Sequence, residues 1–376
     1  MLKIGISGGG IGGLAAAIAL ERAGHEVTVF EQADAFGRVG ADINLTPNAV
    51  RALDGLGVGE RLRETAARPS ARISRTWDTG EVTSHLPMSD EAERKYGAPQ
   101  LTMHRADVVH ALVQAIPAAR LRLGARVAGF ARSEGGESGA SIELADGSRH
   151  DFDLMVGADG IHSRVREFMF GEDRPQFTGV VSYRAVVPVE RITGNDVGAF
   201  VKWWGPTPES QIVTFPLNRG RDVFIFATTG QTDWTHESWT TPGDPDALRD
   251  AYREFHQDAR ALLAACDSVL ASALYVRDPL PRWSRPGFTL LGDACHPMMP
   301  FMAQGAGMAI EDAVVVARAL DAAAPATLEA SLARYEAARR ERTARIQVGS
   351  RGNAWLKEGG NADWVYGYDA WTVPLA

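Results

Sequence analysis

Apolar positions near the start of the chain come in two short runs with a helix-forming stretch between them. Residues 2–7 form a strand-length apolar run, an Ala-rich segment follows Gly13, and a second run ends at Glu31. This order predicts strand, helix, strand. Beyond it the regular alternation stops. The stretch SIELADGSRHDF reads as two short strands around Asp146-Gly147, a hairpin turn signal. Two further apolar runs, 152–156 and 288–291, predict buried strands that end abruptly in glycine and acid: Gly157, Asp159 and Gly160 after the first, Gly292 and Asp293 after the second. From 180 to 229, alternating segments such as QIVTFPL and DVFIFATT predict a sheet. Thr46-Pro47 has the form of a helix cap followed by proline at the first helical position. A long helix is expected over about 327–357, with Glu336, Arg339, Arg340, Glu341 and Arg342 on its exposed side. The aromatic tail ADWVYGYDAW is expected to pack back on the body or on a partner subunit. No internal repeat or low-complexity linker interrupts the chain.

Composition narrows the classes. With 376 residues, 45% hydrophobic and 23% charged, the chain suits a globular enzyme of two interleaved domains. A net charge of -8 with scattered Lys and Arg offers no basic stripe, so nucleic acid is not an expected partner. No run approaches the roughly 18 apolar residues of a membrane span. The two cysteines, Cys266 and Cys295, are far apart and lack metal-ligand spacing, so neither a disulfide framework nor a metal site is expected. The first strand starts beside Met1, leaving no room for a signal peptide, and the expected location is cytoplasmic.

Candidate chemistry begins at Gly8, Gly10 and Gly13. They form G-x-G-x-x-G between a strand and a helix, where glycines let a pyrophosphate approach the backbone at the helix N-terminus. Glu31, at the tip of the second strand, is placed to accept hydrogen bonds from a ribose. An NAD-dependent dehydrogenase would continue with alternating strands and helices, whereas this chain turns β-rich. Three strands ending in glycine-rich corners fit one extended cofactor lying beyond the carboxyl edge of an open α/β sheet.

The motifs GGGIGG, MHRADV, GADGIHSRVR and GDACHPMMPFMAQGAGMAIEDA, in that order over nearly the whole chain, resemble the FAD-dependent single-component aromatic hydroxylases. VKWW (201–204) and WVYGYD (364–369) bring the resemblance closest to the nicotinate and salicylate branch. The resemblance implies an α/β fold with a Rossmann-type FAD domain (1–75, 101–174 and 277–325), an interleaved β-rich substrate domain (76–100 and 176–276) and a C-terminal helix and tail (327–376). It implies FAD, with NADH or NADPH and O2 as co-substrates, and hydroxylation through a flavin C4a-hydroperoxide. Arg105 would contact the pyrophosphate and Asp293 the ribityl chain, while Asp159 would serve both FAD and the nicotinamide. Further FAD contacts are implied at Gly12, Gln32, Arg38, Val127, Gly305 and Ala306. The helix starting near Gly305 would aim its N–H groups at the flavin pyrimidine edge, with Pro297 and the 298–302 loop, including Met299 and Phe301, walling the pocket. A flavoenzyme of this fold that does not hydroxylate, or a non-catalytic FAD-binding protein, stays open at this point. So does the choice between monomer and homodimer.

The substrate side departs from the nearest branch. The resemblance places Asn44 and Phe301 where 6-hydroxynicotinate enzymes carry histidine, and Phe200 where they carry cysteine. That implies a flatter, more apolar pocket and a small ring activated by a hydroxyl or amino group, hydroxylated with or without loss of a carboxylate. From the sheet at 180–229, Tyr183, Gln211, Thr214 and Phe215 would face the substrate, although a one-residue slip would exchange the two sides. His104, His162 and His296 fall in the FAD motifs. His25, His85, His110, His150, His236 and His256 read as surface residues.

Overall fold

The computed structural model describes residues 1–37, 42–133, 139–232, 234, 241–357 and 360–375. Its first sheet has six strands in the order Ser284–Arg285, Phe288–Leu290, Leu154–Gly157, Lys3–Ser7, Glu26–Phe30, Leu121–Arg122. The central four are mutually parallel, as are Glu26–Phe30 and Leu121–Arg122, and only Ser284–Arg285 runs antiparallel to its neighbour. The three strands that end in glycine corners are therefore adjacent, with their carboxyl ends side by side. Helices Ile11–Arg22 and Gly305–Leu320 pack on each other, both almost wholly buried. The hairpin expected at Asp146-Gly147 joins Ala140–Leu144 to Arg149–Phe152, and Phe152 meets Phe30 edge-on at 5.8 Å.

The second sheet has eight strands: Thr241–Gly243, Val269–Val276, Gln176–Pro188, Asp222–Gly230, Gln211–Leu217, Phe200–Trp204, Ala71–Thr76 and Val82–Pro87. The boundary expected at residue 75 falls inside one of these strands, because Ala71–Thr76 pairs in parallel with Phe200–Trp204. Neighbouring residues of a strand point to opposite faces, and the two faces have different neighbours. Val181, Tyr183, Val201, Trp203, Ile212, Ile225 and Ala227 pack with Leu248, Ala259, Leu262 and Leu263 of helices Pro245–Ala251 and Gln257–Ala264. The opposite face carries Phe200, Val213, Phe215 and Phe224 and receives Met299 and Phe301 against Val180 and Leu274.

Helix Leu328–Arg351 packs along Gly305–Leu320. Its charges are not all outward. Arg339 is fully buried, because Glu311 and Asp312 sit inside the apolar helix Gly305–Leu320 and need a cation; Arg339 meets both at 2.7 Å and Arg342 meets Glu311 at 2.9 Å. The tail packs on its own chain: Tyr366 is fully buried and Arg342 donates to the carbonyls of Trp364 and Val365 at 2.8 and 3.0 Å. His25 is likewise buried, bridging the Leu2 N–H and the Leu320 carbonyl. His236 lies outside the described residues. No helix among the described residues is long and apolar enough to cross a membrane.

Candidate active site

The first corner is shaped by backbone approach. Gly8 has φ +107°, and a Cβ there would strike the Ala158 carbonyl; a Cβ on Gly13 would strike the Gly8 carbonyl. Gly10 faces open space and caps helix Ile11–Arg22 without any side-chain hydrogen bond. The helix therefore presents unsatisfied N–H groups to whatever lies in front of it. Glu31 accepts from the N–H groups of Gly9 at 2.8 Å and Ala33 at 2.9 Å, so its carboxylate is fixed beside the turn. Val127 begins its strand two residues after Ala125, whose N–H donates to the Glu31 carbonyl at 2.9 Å. Gln32 is exposed beside Glu31, and Arg38 lies outside the described residues.

Two of the expected cofactor contacts also have structural roles. A Cβ on Gly12 would come within 2.8 Å of Leu291 and 3.1 Å of Ala309, so this glycine serves the close packing of two helices. Asp159 accepts from the Ser163 hydroxyl at 2.5 Å and the N–H groups of Arg164 and Val165 at 2.9 and 3.2 Å; its carboxylate caps the helix Arg164–Phe170.

Arg105 opens the helix Arg105–Gln114 and is exposed. Its charge acts on both Asp42 and Asp293, so the start of this helix lies near the third corner. Asp293 is open to solvent, yet its dense surroundings push its carboxyl above the usual range, against the pull of His296 and Arg105. Gly305, the first residue of the next helix, lies so that a Cβ would be 4.0 Å from the Asp293 carboxylate. That helix also lacks a side-chain cap, leaving the N–H groups around Gly305 and Ala306 available. The preceding Gln304 is turned inward, donating to Thr46 at 2.8 Å and accepting from Asn48 at 3.0 Å. Two uncapped helix starts, a fixed carboxylate beside one and an acid beside the other, fit an extended dinucleotide with an anionic middle.

Between Asp293 and Gly305 the chain presses on the second sheet. Pro297 is buried with its carbonyl held by Gln347 at 3.0 Å. Met299 and Phe301 are buried against Val180 and Leu274. On the same face of that sheet lie Gln211, fully buried with neither end of its amide hydrogen-bonded, and Phe215, stacked on Phe200 at 5.5 Å. Asn44 accepts from Gln100 at 2.7 Å and leaves its own buried Nδ2 without a partner. Tyr183 and Thr214 point the other way. Tyr183 packs toward Leu248 and Leu262, and Thr214 is registered between Val201 and Ile225 of that same outer cluster; strand alternation thus places one pair of candidates on each face.

Sequence reading missed the polar layer beneath the corner. His296 meets Asp312 at 2.5 Å, Asn48 donates to Glu311 at 2.7 Å, and Arg339 closes the set. The signal was present as the acid pair inside MAIEDA on an otherwise apolar helix. Asp312 is drawn down to about 2: burial opposes this, but His296 and Arg339 prevail. Cys295, His296 and Asp312 bring three ligand atoms within 4.8 Å of one another, but the Arg339 guanidinium already occupies the carboxylate and would repel a metal cation. Also missed were two buried cations, Arg72 and Lys202; a lysine in the middle of FVKWW was the available sign.

Known proteins agree with this geometry. Residues 1–349 match the FAD binding domain family. The chain is 36% identical over 374 residues to 6-hydroxynicotinate 3-monooxygenase of Bordetella bronchiseptica, covering 99% of this chain and 97% of that protein. It is 35% identical to a 3-amino-4-hydroxybenzoate 2-monooxygenase of Streptomyces platensis, covering 93% and 87% of the two chains. A salicylate hydroxylase solved as a substrate complex superposes with a TM-score of 0.85 at 26% identity, covering 98% of this chain and 96% of that one. A dinucleotide cradle along three adjacent corners, roofed by a second sheet and matched end to end by these relatives, places the chain in the family of FAD-dependent single-component aromatic hydroxylases, flavoprotein monooxygenases that bind FAD.

Proposed function

We propose that this enzyme uses NADH or NADPH and O2 to hydroxylate a small monocyclic ring carrying a hydroxyl or amino group, with or without loss of a carboxylate. The observation carrying this is the chain between Asp293 and Gly305. One segment leads from the acid to the uncapped helix and also presses Met299 and Phe301 onto the second sheet. A flavin ring at that helix would lie beside the buried amides of Asn44 and Gln211.

When bound, FAD supplies the acceptance of hydride from the nicotinamide and the activation of dioxygen. The chain's own residues do the rest. Gly8, Gly10 and Gly13 admit the pyrophosphate, Glu31 receives the ribose hydroxyls, and Asp293 holds the ribityl chain. N–H groups at Gly305 and Ala306 favour negative charge on the nearby ring edge. Phe200, Phe215 and Phe301 exclude water and flatten the pocket. Asn44 and Gln211 offer amide donors and acceptors that orient a ring substituent, and neither can act as a base at neutral pH. An amino-activated ring needs no prior deprotonation, which suits such a site, and one relative is named for a substrate carrying both groups, 3-amino-4-hydroxybenzoate.

The test is a panel of hydroxy- and aminobenzoates, nitrophenols and hydroxypyridines, scored by substrate-stimulated NAD(P)H consumption and product mass. A product gaining one oxygen supports the reading. NAD(P)H oxidation without oxygen incorporation across the whole panel would point to an oxidase instead. If 6-hydroxynicotinate proved best, the argument from Asn44, Phe200 and Phe301 would fail and the hydroxylase assignment would stand.

A further inference from the structure

The face of the second sheet that looks toward Phe301 carries two cations without acidic partners. Arg72 and Lys202 are only 5% and 3% exposed. They lie on adjacent parallel strands, Arg72 opposite Phe200 and Lys202 two residues further along. Among the described residues neither has a carboxylate within ion-pair distance. Arg72 donates to the Tyr366 hydroxyl at 3.2 Å and lies between the rings of Phe200 and Trp355, at 4.5 and 4.9 Å. Lys202 donates to the Asn353 side-chain oxygen at 2.6 Å, with the rings of Trp204 at 3.6 Å and Phe301 at 5.6 Å.

Burying a charge without a counter-charge is costly, and ring faces and a single amide oxygen compensate only in part. Two such cations side by side also repel each other. Burial and the neighbouring charges of Arg72 and Lys357 hold the Lys202 ammonium well below its usual range. An arrangement this unfavourable in isolation is relieved by an anion, and Phe301 places it at the wall where the substrate ring is expected.

We propose that Arg72 and Lys202 form an anion subsite that receives the carboxylate of an aromatic acid substrate, orienting its ring against Phe301. Asn353 and Tyr366, from the C-terminal segment, hold the two cations in place before the ligand arrives. The inference rests on the hydroxylase reading and narrows it: the ring is walled by apolar groups while one end must be anionic. Specificity then follows from charge, since a neutral analogue leaves both cations buried without a partner.

The experiment measures dissociation constants for the FAD-loaded enzyme by perturbation of flavin absorbance, comparing hydroxy- and aminobenzoates with the carboxamide of each. In the wild type the acid should bind about 10- to 100-fold more tightly than its amide, the range of one or two charge-assisted hydrogen bonds. Lys202→Met should remove most of that preference while leaving amide affinity within about threefold, and Arg72→Met should act in the same direction. Lys202→Met should also raise the melting temperature of the ligand-free holoenzyme, because it replaces a buried amine that lacks a counter-charge with an apolar side chain. A lysine with only a structural role would instead lower the melting temperature and weaken acid and amide alike, which overturns the proposal. Amides binding as tightly as acids to the wild type would overturn it too and leave the hydroxylase reading intact. Failure of every acid and amide to bind would overturn both.

Discussion

Glu31 and Asp293 are asked to do similar work from different starting points. Glu31 is already hydrogen-bonded to two N–H groups, so on the proposed reading it would meet a ribose as a preorganised acceptor; Asp293 is raised by its surroundings and would gain from hydroxyls donating to it. Glu31→Ala and Asp293→Ala should each raise the FAD dissociation constant by about 10- to 100-fold, the loss of a hydrogen bond to a charged group of ~1.5–3 kcal/mol; isothermal titration of the apoprotein checks this. Asp42 gives a pH prediction. Burial raises it to about 7 despite Arg184 and Arg105, so the folded protein binds this proton more tightly than the unfolded chain does. Stability from this group is greatest below the ordinary carboxylate range and falls as pH rises toward 7. Relative to Asp42→Asn, the wild type should lose melting temperature between about pH 4 and pH 7. At this scale the sequence was informative about residue types and mute about direction. The strands bearing Tyr183, Gln211, Thr214 and Phe215 were recognisable, yet only the register showed that Gln211 and Phe215 share a face with Lys202 while Tyr183 and Thr214 meet the outer helices.

Helices show the opposite balance. Start points at Pro47 and Gly305 were legible because proline fixes φ at a first helical position and the glycine-rich run at Gly305 breaks the pattern before it. The facing of Leu328–Arg351 was not, because an amphipathic reading assigns arginine to solvent and nothing local shows that the partner helix buries Glu311 and Asp312. Arg339→Leu should therefore destabilise the protein by about 3–5 kcal/mol, since it removes the buried cation that both carboxylates share and leaves Glu311 to Arg342 and Asp312 to His296 alone; chemical denaturation measures it. Asp312, held at about 2 in the folded state, supplies stability that is present above its ordinary value near 4 and is lost as pH falls toward 2. In Arg339→Leu that acid-side loss should be smaller, because without the guanidinium the folded-state value moves back toward the ordinary one.

For the molecule as a whole, the interleaving of two sheets was legible in the order of motifs, but the role of the tail was not. Its aromatic content was visible, whereas its partners are separated from it by almost the whole chain: Arg72 reaches Tyr366, and Arg51 reaches the carbonyls of Tyr366 and Tyr368. Deleting residues 361–376 should lower the melting temperature and, by freeing Arg72, weaken aromatic acids more than their amides. Equal loss for both ligands would show that the tail stabilises the fold without shaping the site.

The close approach at Gly12 has a consequence for which flavin this protein accepts. On the proposed reading helix Ile11–Arg22 would meet the pyrophosphate and helix Gly305–Leu320 the ring, and Gly12 lets the two helices touch at Ala309, beside Leu291. The two starts are thereby clamped at a fixed separation, like the jaws of a calliper. A full-length dinucleotide can engage both jaws at once, whereas a flavin shortened to its mononucleotide engages one and forfeits the gain from the other. Gly12→Ala would pry the jaws apart, so its damage should fall on the margin by which FAD outbinds FMN.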